Sequence, residues 1–295
     1  MHTGADGRCS SVLDPLDPAA IEALARRALE EDRAFDDVTT LATVDASLIG
    51  TATFLAKEAG VAAGLDVAAA CFRIVDGRCQ FNPHVRDGDR FTRGQRLATV
   101  VGPVRALLQA ERVALNFLQR MCGTATLTRA FVDAVAGTGV RILDTRKTTP
   151  GLRDFEKYAV RCGGGTNHRR DLASMAMVKD NHREAIRREG RTLADAAAAI
   201  RALRPGIAVE IEIDRLEQLD EALAAQPEWI LLDNMTLEDM AEAVRRVAGR
   251  ARLEASGGVR LDTVRAIAET GVDAISVGAL THSARAQDIS LELEF

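Results

Sequence analysis

One stretch of the chain, Ile142–His182, concentrates the residue types that bind and transfer anionic groups. It carries eight lysines and arginines against five acids, a net charge of +3 in a protein whose net charge is −5. It also contains a glycine triplet at 163–165, followed one residue later by Asn-His-Arg. A basic segment with flexible glycines and an imidazole indicates an anion-binding site.

Lysine is rare in this chain and is concentrated in the same stretch. Only four of the 38 basic residues are lysines, and Lys147, Lys157 and Lys179 all lie between residues 142 and 182. A compact ammonium and a planar guanidinium are not interchangeable, since lysine serves phosphate as a point charge. Lysines kept in an arginine-rich chain therefore indicate phosphate contacts.

The second half of the chain alternates strand-like and helix-like segments. Repeated strand-then-helix units predict a parallel sheet with helices on both faces. No GxGxxG fingerprint opens the first unit, which favours a closed barrel over an open sheet. The predicted strands are Val140–Leu143, Met175–Lys179, Ala208–Ile213, Trp229–Leu232, Arg252–Ala255 and Ala274–Val277. The predicted helices are Thr192–Leu203, Leu216–Ala224, Leu237–Ala248 and Leu261–Glu269.

Polar and glycine residues follow the ends of these strands. In (β/α) barrels the active site lies at the carboxyl ends of the strands, and the last two loops often bind phosphate. We therefore expect these residues to converge on one mouth. They are Thr145, Arg146, Lys147, Lys179, Glu212, Asp233, Ser256, Gly257, Gly258, Val277, Gly278 and Ala279.

The sequence leaves two interpretations open for each of these groups. The loops at 256–258 and 277–279 bind phosphate through backbone N–H groups, or they are ordinary turns. The lysines and arginines line a pocket that binds anions, or they are solvated surface charges. Glu212 and Asp233 face Mg²⁺, ribose hydroxyls or a developing cation, or they pair with nearby lysines.

His168 and Arg112 are less certain from pattern alone. His168 follows the flexible glycine loop, which suits a ligand clamp, although a lone histidine is more often structural. Arg112 lies at the edge of the apolar face of a helix predicted from Val104 to about Val135, with a possible interruption at Gly123. In that position an arginine that covers apolar surface with its stem is favoured.

The first half of the chain has a different pattern of secondary-structure signals. Asp17–Glu31 is predicted to be an amphipathic helix, and Gly50–Pro103 reads as short antiparallel strands. The final segment, Asp288–Phe295, alternates like a strand that returns to the first domain. We place an N-terminal domain at 1–116 and a barrel at 117–283, with the tail 284–295 returning to the former.

Composition excludes several classes of protein. The chain is 47% hydrophobic and mildly acidic, which fits a soluble globular protein and argues against nucleic acid as a partner. It has no apolar run long enough for a membrane helix, and residues 1–17 read as a loose tail rather than a secretory signal. Five cysteines without a CxxC pair predict a reducing cytoplasm, with neither disulfides nor a zinc site.

A set of motifs runs through the chain in a fixed order: ERVALNFLQR, DTRKTTPGLR, KYAVRCGGGTNHR, KDNH, VEIEID, LLDN, EASGGV and GVDAISVGAL. Taken together, they resemble the quinolinate phosphoribosyltransferase family over nearly the whole chain, from Glu31 to the tail. The resemblance implies an α/β protein with an N-terminal α/β sandwich-like domain and a C-terminal, incomplete TIM-like α/β barrel. It also implies homodimers, or hexamers built as trimers of dimers, in which the N-terminal domain of one subunit closes the other's barrel.

The resemblance implies a reaction in NAD biosynthesis. Quinolinate and phosphoribosyl pyrophosphate, with Mg²⁺, give nicotinate mononucleotide, pyrophosphate and CO₂. The implied carboxylate-binding residues are Arg146, His168 and Arg169, with Arg112 from the partner subunit. Lys147 and Lys179 would neutralise pyrophosphate, Glu212 and Asp233 would contact ribose or Mg²⁺, and the loops 256–258 and 277–279 would take the 5′-phosphate.

The chain departs from the family pattern in a few places, including Asp36, Cys122 and Thr124. Asp171 and Ser174 follow Arg169 closely, and the extra carboxylate either weakens quinolinate binding or points away from the site. Two alternatives remain: a phosphoribosyltransferase for another anionic heterocycle, and a non-catalytic sensor of phosphoribosyl pyrophosphate. The intact TRKT, NHR and KDNH motifs argue against the first, and the retained Lys179, Glu212 and Asp233 argue against the second.

Overall fold

A computed structural model describes residues 13–294, so most of the predicted N-terminal tail and the final residue lie outside the described part. The helices are α1 (Pro18–Glu31), α2 (Val38–Thr43), α3 (Leu65–Val75), α4 (Val104–Ala134), α5 (Arg153–Cys162), α6 (Asp180–Arg188), α7 (Leu193–Leu203), α8 (Leu219–Ala224), α9 (Leu237–Val247), α10 (Val264–Glu269) and α11 (Ala279–His282). None of the helices within residues 13–294 combines the length and the apolar character needed to cross a membrane.

The strands form two main sheets and a two-stranded ribbon. They are β1 (Ile49–Ala56), β2 (Gly60–Val61), β3 (Gln80–Pro83), β4 (Arg90–Phe91), β5 (Arg96–Pro103), β6 (Arg141–Leu143), β7 (Ala176–Val178), β8 (Val209–Ile213), β9 (Trp229–Asp233), β10 (Arg252–Ser256), β11 (Ala274–Ser276) and β12 (Ile289–Glu294). The first sheet is antiparallel with order β12-β1-β5-β3, and β2 pairs with β4.

The N-terminal part confirms the first predicted helix and corrects one prediction. Asp17 caps α1, since its side chain accepts a hydrogen bond from the Ala19 N–H at 3.0 Å. The stretch read entirely as strands also contains the helix α3, whose buried face packs into the first hydrophobic cluster. Its run of alanines and larger apolar residues suits a helix, and the short strands around it obscured that signal.

The long helix α4 connects the two parts of the fold and has no break at Gly123. A Cβ at Gly123 would lie 1.9 Å from the carbonyl oxygen of Arg285, so this glycine allows the C-terminal segment to approach the helix closely. The expected interruption is therefore wrong, and the glycine has a packing role instead. The domain boundary at residues 116/117 falls inside α4 and stays a prediction.

The second half confirms the alternation of strands and helices. All six predicted strands are present within two residues of their predicted ends, in a parallel sheet of order β6-β11-β10-β9-β8-β7. A second hydrophobic cluster lies between these strands and the helices. The α/β class and the barrel-like C-terminal domain are thereby confirmed.

The expectation of a closed barrel is wrong. Within the described residues β6 and β7 share no ladder, and a single bridge between Leu143 and Thr166 stands in the gap. The Thr166 N–H donates to the Ile142 carbonyl at 2.8 Å, and the Asp144 N–H donates to the Thr166 carbonyl at 3.2 Å. The loop after the glycine triplet thus replaces missing strands, which gives the incomplete barrel that the family resemblance implies.

The end of the chain adds a strand to the first sheet. β12 pairs antiparallel with β1, with Phe54 opposite Leu291. Lys57 forms an exposed ion pair with Glu292 at 2.6 Å in the same region. The first sheet is therefore completed by residues that follow the whole barrel in sequence.

The close approach of the Arg285 carbonyl to Gly123 predicts that adding one methyl group at Gly123 lowers the stability of the protein. Gly123→Ala should destabilise the protein by about 1–3 kcal/mol, because the new Cβ meets a backbone carbonyl that has no side-chain freedom to move. In an unobstructed helix the same change would stabilise by about 1 kcal/mol. Thermal unfolding beside Gly77→Ala, where a Cβ meets nothing within 4 Å, measures the difference. Equal or higher stability of Gly123→Ala would contradict this packing role.

Candidate active site

The carboxyl ends of the barrel strands surround a cavity of about 580 Å³. Inward-facing positions of the strands and the loops after β6 and α5 supply its walls. Of the residues predicted for the mouth, it gathers Thr145, Arg146, Lys147, His168, Arg169, Lys179, Glu212, Asp233, Ser256, Gly257 and Gly258. The predicted convergence therefore occurs: four cations face Glu212 and Asp233 in one cavity, which Glu254 also lines.

The second predicted phosphate loop does not line this cavity. Val277 is buried in the barrel core, and its N–H donates to the Leu143 carbonyl at 2.9 Å. Gly278 packs beside Lys147, whose Cδ would lie 3.2 Å from an added Cβ. Ala279 begins α11, so β11 contributes Ser276 to the cavity wall rather than the residues after it.

Arg112 also lies outside the cavity. It is exposed on α4 and lines a separate groove of about 770 Å³ with residues 32–34 and 36–38, Leu41, Leu108 and Gln109. Beside it, Val38 is 77% exposed, and Phe35 and Leu41 are each 43% exposed. An arginine at the edge of an exposed apolar surface is the arrangement expected of a residue covered by another molecule.

The two mouth carboxylates end neighbouring strands and have different partners. Glu212 on β8 accepts a hydrogen bond from Nζ of Lys179 at 3.1 Å, so the ion-pair alternative holds for this residue. Asp233 on β9 accepts a hydrogen bond from the side-chain amide of Asn234 at 2.9 Å. Hard oxygen donors on adjacent strands are suited to Mg²⁺ or to hydroxyl groups.

A buried ion pair beneath the mouth was not predicted from the sequence. Nζ of Lys157 lies 2.5 Å from Oδ1 of Asp144, and both side chains are almost completely buried. Burial raises the pKa of Asp144 and lowers the pKa of Lys157, and in each case the partner's opposite charge works against the effect of burial. The phosphate-contact interpretation is therefore wrong for Lys157, although Lys147 and Lys179 do reach the cavity.

This ion pair fixes the loop that carries His168. Asp144 also accepts hydrogen bonds from the Asn167 amide at 2.6 Å and from the His168 N–H at 2.8 Å. Nζ of Lys157 donates to the His168 carbonyl at 3.0 Å. The only sequence signal for this network was the position of Asp144 directly after β6.

Two further buried carboxylates lie next to His168. Its Nε2 lies 3.2 Å from Oε2 of Glu210 and 3.1 Å from Oε2 of Glu254. Glu210 precedes Glu212 by two residues on β8, and strand alternation places both on the inner face. That alternation was the available signal for Glu210; Glu254 on β10 had none beyond its place two residues before Ser256.

The extra carboxylate of Asp171 points away from the cavity. Its Oδ1 accepts hydrogen bonds from the N–H groups of Ala173 and Ser174, each at 2.9 Å. Asp171 is not among the residues that line the cavity. Of the two alternatives left open by the sequence, the structure favours a carboxylate that does not oppose an anionic ligand.

Comparison with known proteins matches both halves of the chain. A family model described as the N-terminal domain of quinolinate phosphoribosyl transferase matches residues 37–122, and the corresponding C-terminal model matches residues 124–292. A nicotinate-nucleotide pyrophosphorylase (carboxylating) of Mycobacterium leprae is 48% identical over 274 residues, which cover 91% of this chain and 95% of that protein.

Solved structures agree with the sequence matches. NadC from Streptococcus pyogenes superposes with a TM-score of 0.90 at 43% identity and covers 95% of this chain and 99% of its own. The nicotinate-nucleotide pyrophosphorylase from Francisella tularensis gives a TM-score of 0.89 at 36% identity, with 96% and 99% coverage.

The buried Asp144–Lys157 pair and the exposed Lys57–Glu292 pair should contribute very differently to the stability of the protein. Lys157→Met should destabilise the protein by about 3–5 kcal/mol, because it leaves the Asp144 carboxylate buried without a counter-charge. Lys57→Met removes an exposed pair and should cost about 1 kcal/mol or less. Chemical denaturation of both variants measures the contrast, and similar losses would show that the buried pair does not hold the loop.

Proposed function

Because the chain belongs to the quinolinate phosphoribosyltransferase family, we propose that this cavity joins quinolinate to phosphoribosyl pyrophosphate with loss of CO₂. The observation that carries the proposal is the gathering of Arg146, Lys147, Arg169 and Lys179 in one cavity with Glu212 and Asp233. Both substrates are polyanions, and the reaction passes through a cationic ribose. A site that places cations around carboxylates suits both requirements.

Arg146 and Arg169 form the quinolinate end of the cavity. Both residues line the cavity, and burial together with the nearby charge of Arg146 lowers the pKa of Arg169. Nε of Arg146 is buried and has no hydrogen-bond partner among the described residues. Unpaired buried donors require an acceptor. The two carboxylates of a pyridine-2,3-dicarboxylate supply acceptors and opposite charge, and Thr145 adds a hydroxyl at the same wall.

The phosphoribosyl end is formed by the remaining groups. Ser256, Gly257 and Gly258 bind the 5′-phosphate after β10, where Gly257 adopts a positive φ of 95° that favours glycine. Lys147 and Lys179 neutralise the pyrophosphate group. The loop 277–279 lies beside this end of the cavity, where Gly278 packs on Lys147, and its contact with the 5′-phosphate stays a prediction from the sequence.

The reaction follows from this placement. The pyridine nitrogen attacks C1 of the ribose as the C1–O bond breaks, and the bonding electrons leave with pyrophosphate. Glu212 and Asp233 stabilise the positive charge that develops at C1. The ring nitrogen becomes quaternary, the C2–carboxylate bond then breaks, and CO₂ leaves. The adjacent N⁺ stabilises the electron pair on C2 until a proton replaces the carboxylate and gives nicotinate mononucleotide.

Glu212 and Asp233 also fit Mg²⁺. Carboxylate oxygens on adjacent strands are hard donors, and Mg²⁺ is commonly held by one or two carboxylates together with substrate phosphates. When bound, the ion adds positive charge at the departing pyrophosphate.

A second copy of the chain completes the site through the groove around Arg112. The exposed apolar side chains of Phe35, Val38 and Leu41 supply the surface such an interface needs, and Arg112 supplies a further cation. The assembly is a homodimer or a hexamer of three dimers. The protein works in the cytoplasm, since the four described cysteines are unpaired and suit a reducing compartment.

Substrate preference tests the reaction. With phosphoribosyl pyrophosphate and Mg²⁺, purified protein should release CO₂ and form nicotinate mononucleotide from quinolinate at least about 10²-fold more efficiently than from nicotinate. The mono-acid leaves a buried guanidinium unpaired, which costs several kcal/mol. Measured kcat/KM values for the two acids decide the matter, and comparable turnover of nicotinate would refute the assignment.

Complementation tests the shared site. Arg112→Ala and Lys179→Ala homodimers should each be nearly inactive, because each lacks a cation at every site. After mixing and reversible dissociation, about half the dimers are heterodimers, and half of their sites carry neither lesion. Activity should then recover to about a quarter of wild type. No recovery despite demonstrated subunit exchange would place Arg112 outside the partner's site.

A further inference from the structure

The proposed reaction leaves unexplained why two buried carboxylates lie at the wall of an anion-binding cavity. Glu210 is fully buried, Glu254 is 2% exposed at its side chain and lines the cavity, and both face the His168 imidazole, which is 7% exposed. Apart from that contact, neither oxygen of Glu210 has a hydrogen-bond donor within residues 13–294. A buried carboxylate with so few donors is costly, so stability does not explain the cluster.

The backbone of Arg169 determines which imidazole nitrogen carries the hydrogen. The Arg169 N–H donates to Nδ1 of His168 at 2.7 Å, so Nδ1 presents its lone pair. The hydrogen of the neutral ring therefore lies on Nε2, which faces Glu210 and Glu254 at hydrogen-bond distance. Nδ1 is thus engaged by the backbone, and Nε2 faces the two carboxylates.

The same hydrogen bond argues against a metal ion at this cluster. His168, Glu210 and Glu254 offer ligand atoms within 4.8 Å of one another, which by position alone would suit a metal. A metal on Nε2 would require the ring hydrogen on Nδ1, where it would point at the Arg169 N–H. Two N–H donors that face each other repel, so this arrangement favours a hydrogen-bonded cluster over a metal site.

Proton binding limits the negative charge of the cluster. Burial raises the pKa of Glu210 to about 7. Burial acts against a charged His168, but the bonds to Glu210 and Glu254 outweigh it and raise the pKa of His168 to about 9. The cluster therefore retains one extra proton near neutral pH. The raised pKa of His168 favours a second proton on the ring, but the Arg169 N–H is directed at Nδ1 and would meet that proton. We therefore assign the extra proton to the carboxylate pair, which gives a net charge of −1 instead of −2.

The chain of contacts ends at a cation of the cavity. Nη1 of Arg169 donates to the Met175 carbonyl at 3.1 Å, and Nη2 lies 3.5 Å from Sδ of Met177. The guanidinium is thereby held against β7 while the Arg169 backbone is held by His168. Rotation of the imidazole would release the Arg169 N–H and shift the start of this side chain.

We propose that Glu210 and Glu254 are positioning residues, which orient the His168 ring and through it the Arg169 guanidinium that binds a carboxylate of the substrate. His168 then supports Arg169 from its own place on the wall of the same cavity. The inference rests on the proposed function, because it assigns the quinolinate end of the same cavity.

Steady-state kinetics of four variants test the proposal. Glu210→Leu and Glu254→Leu remove the acceptors and should raise the KM for quinolinate on the order of 10- to 100-fold, as expected for a misplaced binding group. The KM for phosphoribosyl pyrophosphate should stay within about twofold. Glu210→Gln and Glu254→Gln keep a carbonyl acceptor for Nε2–H and should restore the quinolinate KM to within about threefold of wild type.

Asp87→Asn is the matched control, since Asp87 is a largely buried carboxylate that contacts Tyr158 and lies outside the cavity. It should lower stability without a selective effect on the quinolinate KM. An unchanged quinolinate KM in the leucine variants, or an equal rise for both substrates, would overturn the positioning role. A wild-type protein that forms no nicotinate mononucleotide would instead refute the proposed function.

Nitrogen NMR of the wild-type enzyme gives a test that needs no variant to fold. With ¹⁵N-labelled histidine, the His168 signals should show a protonated Nε2 and an unprotonated Nδ1, and elemental analysis should show no stoichiometric transition metal. A protonated Nδ1, or a metal bound one per chain and lost in Glu254→Gln, would overturn the assignment.

Discussion

The ion pair between Asp144 and Lys157 is the interaction on which the active site depends. The barrel lacks strand pairing between β6 and β7 in the described residues, and a loop fills that gap instead. A loop has few backbone partners of its own, so its position has to be set by side chains. Asp144 supplies three hydrogen-bond contacts, to Lys157, Asn167 and the His168 backbone, and thereby turns a flexible glycine-rich segment into a fixed wall.

The charged side chains inside this barrel form two groups, one at the mouth and one behind it. At the mouth, cations outnumber acids and face the solvent-filled cavity, as binding of polyanions requires. Behind these groups, Glu210 and Glu254 face the imidazole of His168. The Arg169 N–H, which donates to Nδ1 of His168, connects this cluster to the mouth. The cluster thereby sets the direction of the Arg169 guanidinium that binds an anion there.

The sequence allowed a reliable prediction of the parts that depend on local pattern. Apolar runs located all six barrel strands, and their ends located most residues of the cavity, because parallel strands bring their carboxyl ends to one edge. The contacts of Lys157, Glu210 and Glu254 were not predicted, because each joins elements far apart in sequence and only the folded chain brings them together. Gly123 illustrates the same limit: its local pattern suggested a helix break, while the actual cause is the distant Arg285 carbonyl.

The return of β12 to the first sheet has a consequence for how the protein is made. During synthesis, the amino-terminal half leaves the ribosome with β1 as an unprotected edge, since its outer neighbour β12 follows the whole barrel in sequence. Exposed edges invite pairing with other chains. The first sheet therefore cannot reach its final form until the barrel has been translated, and a ribosome that stops within the barrel releases a product with an aggregation-prone edge.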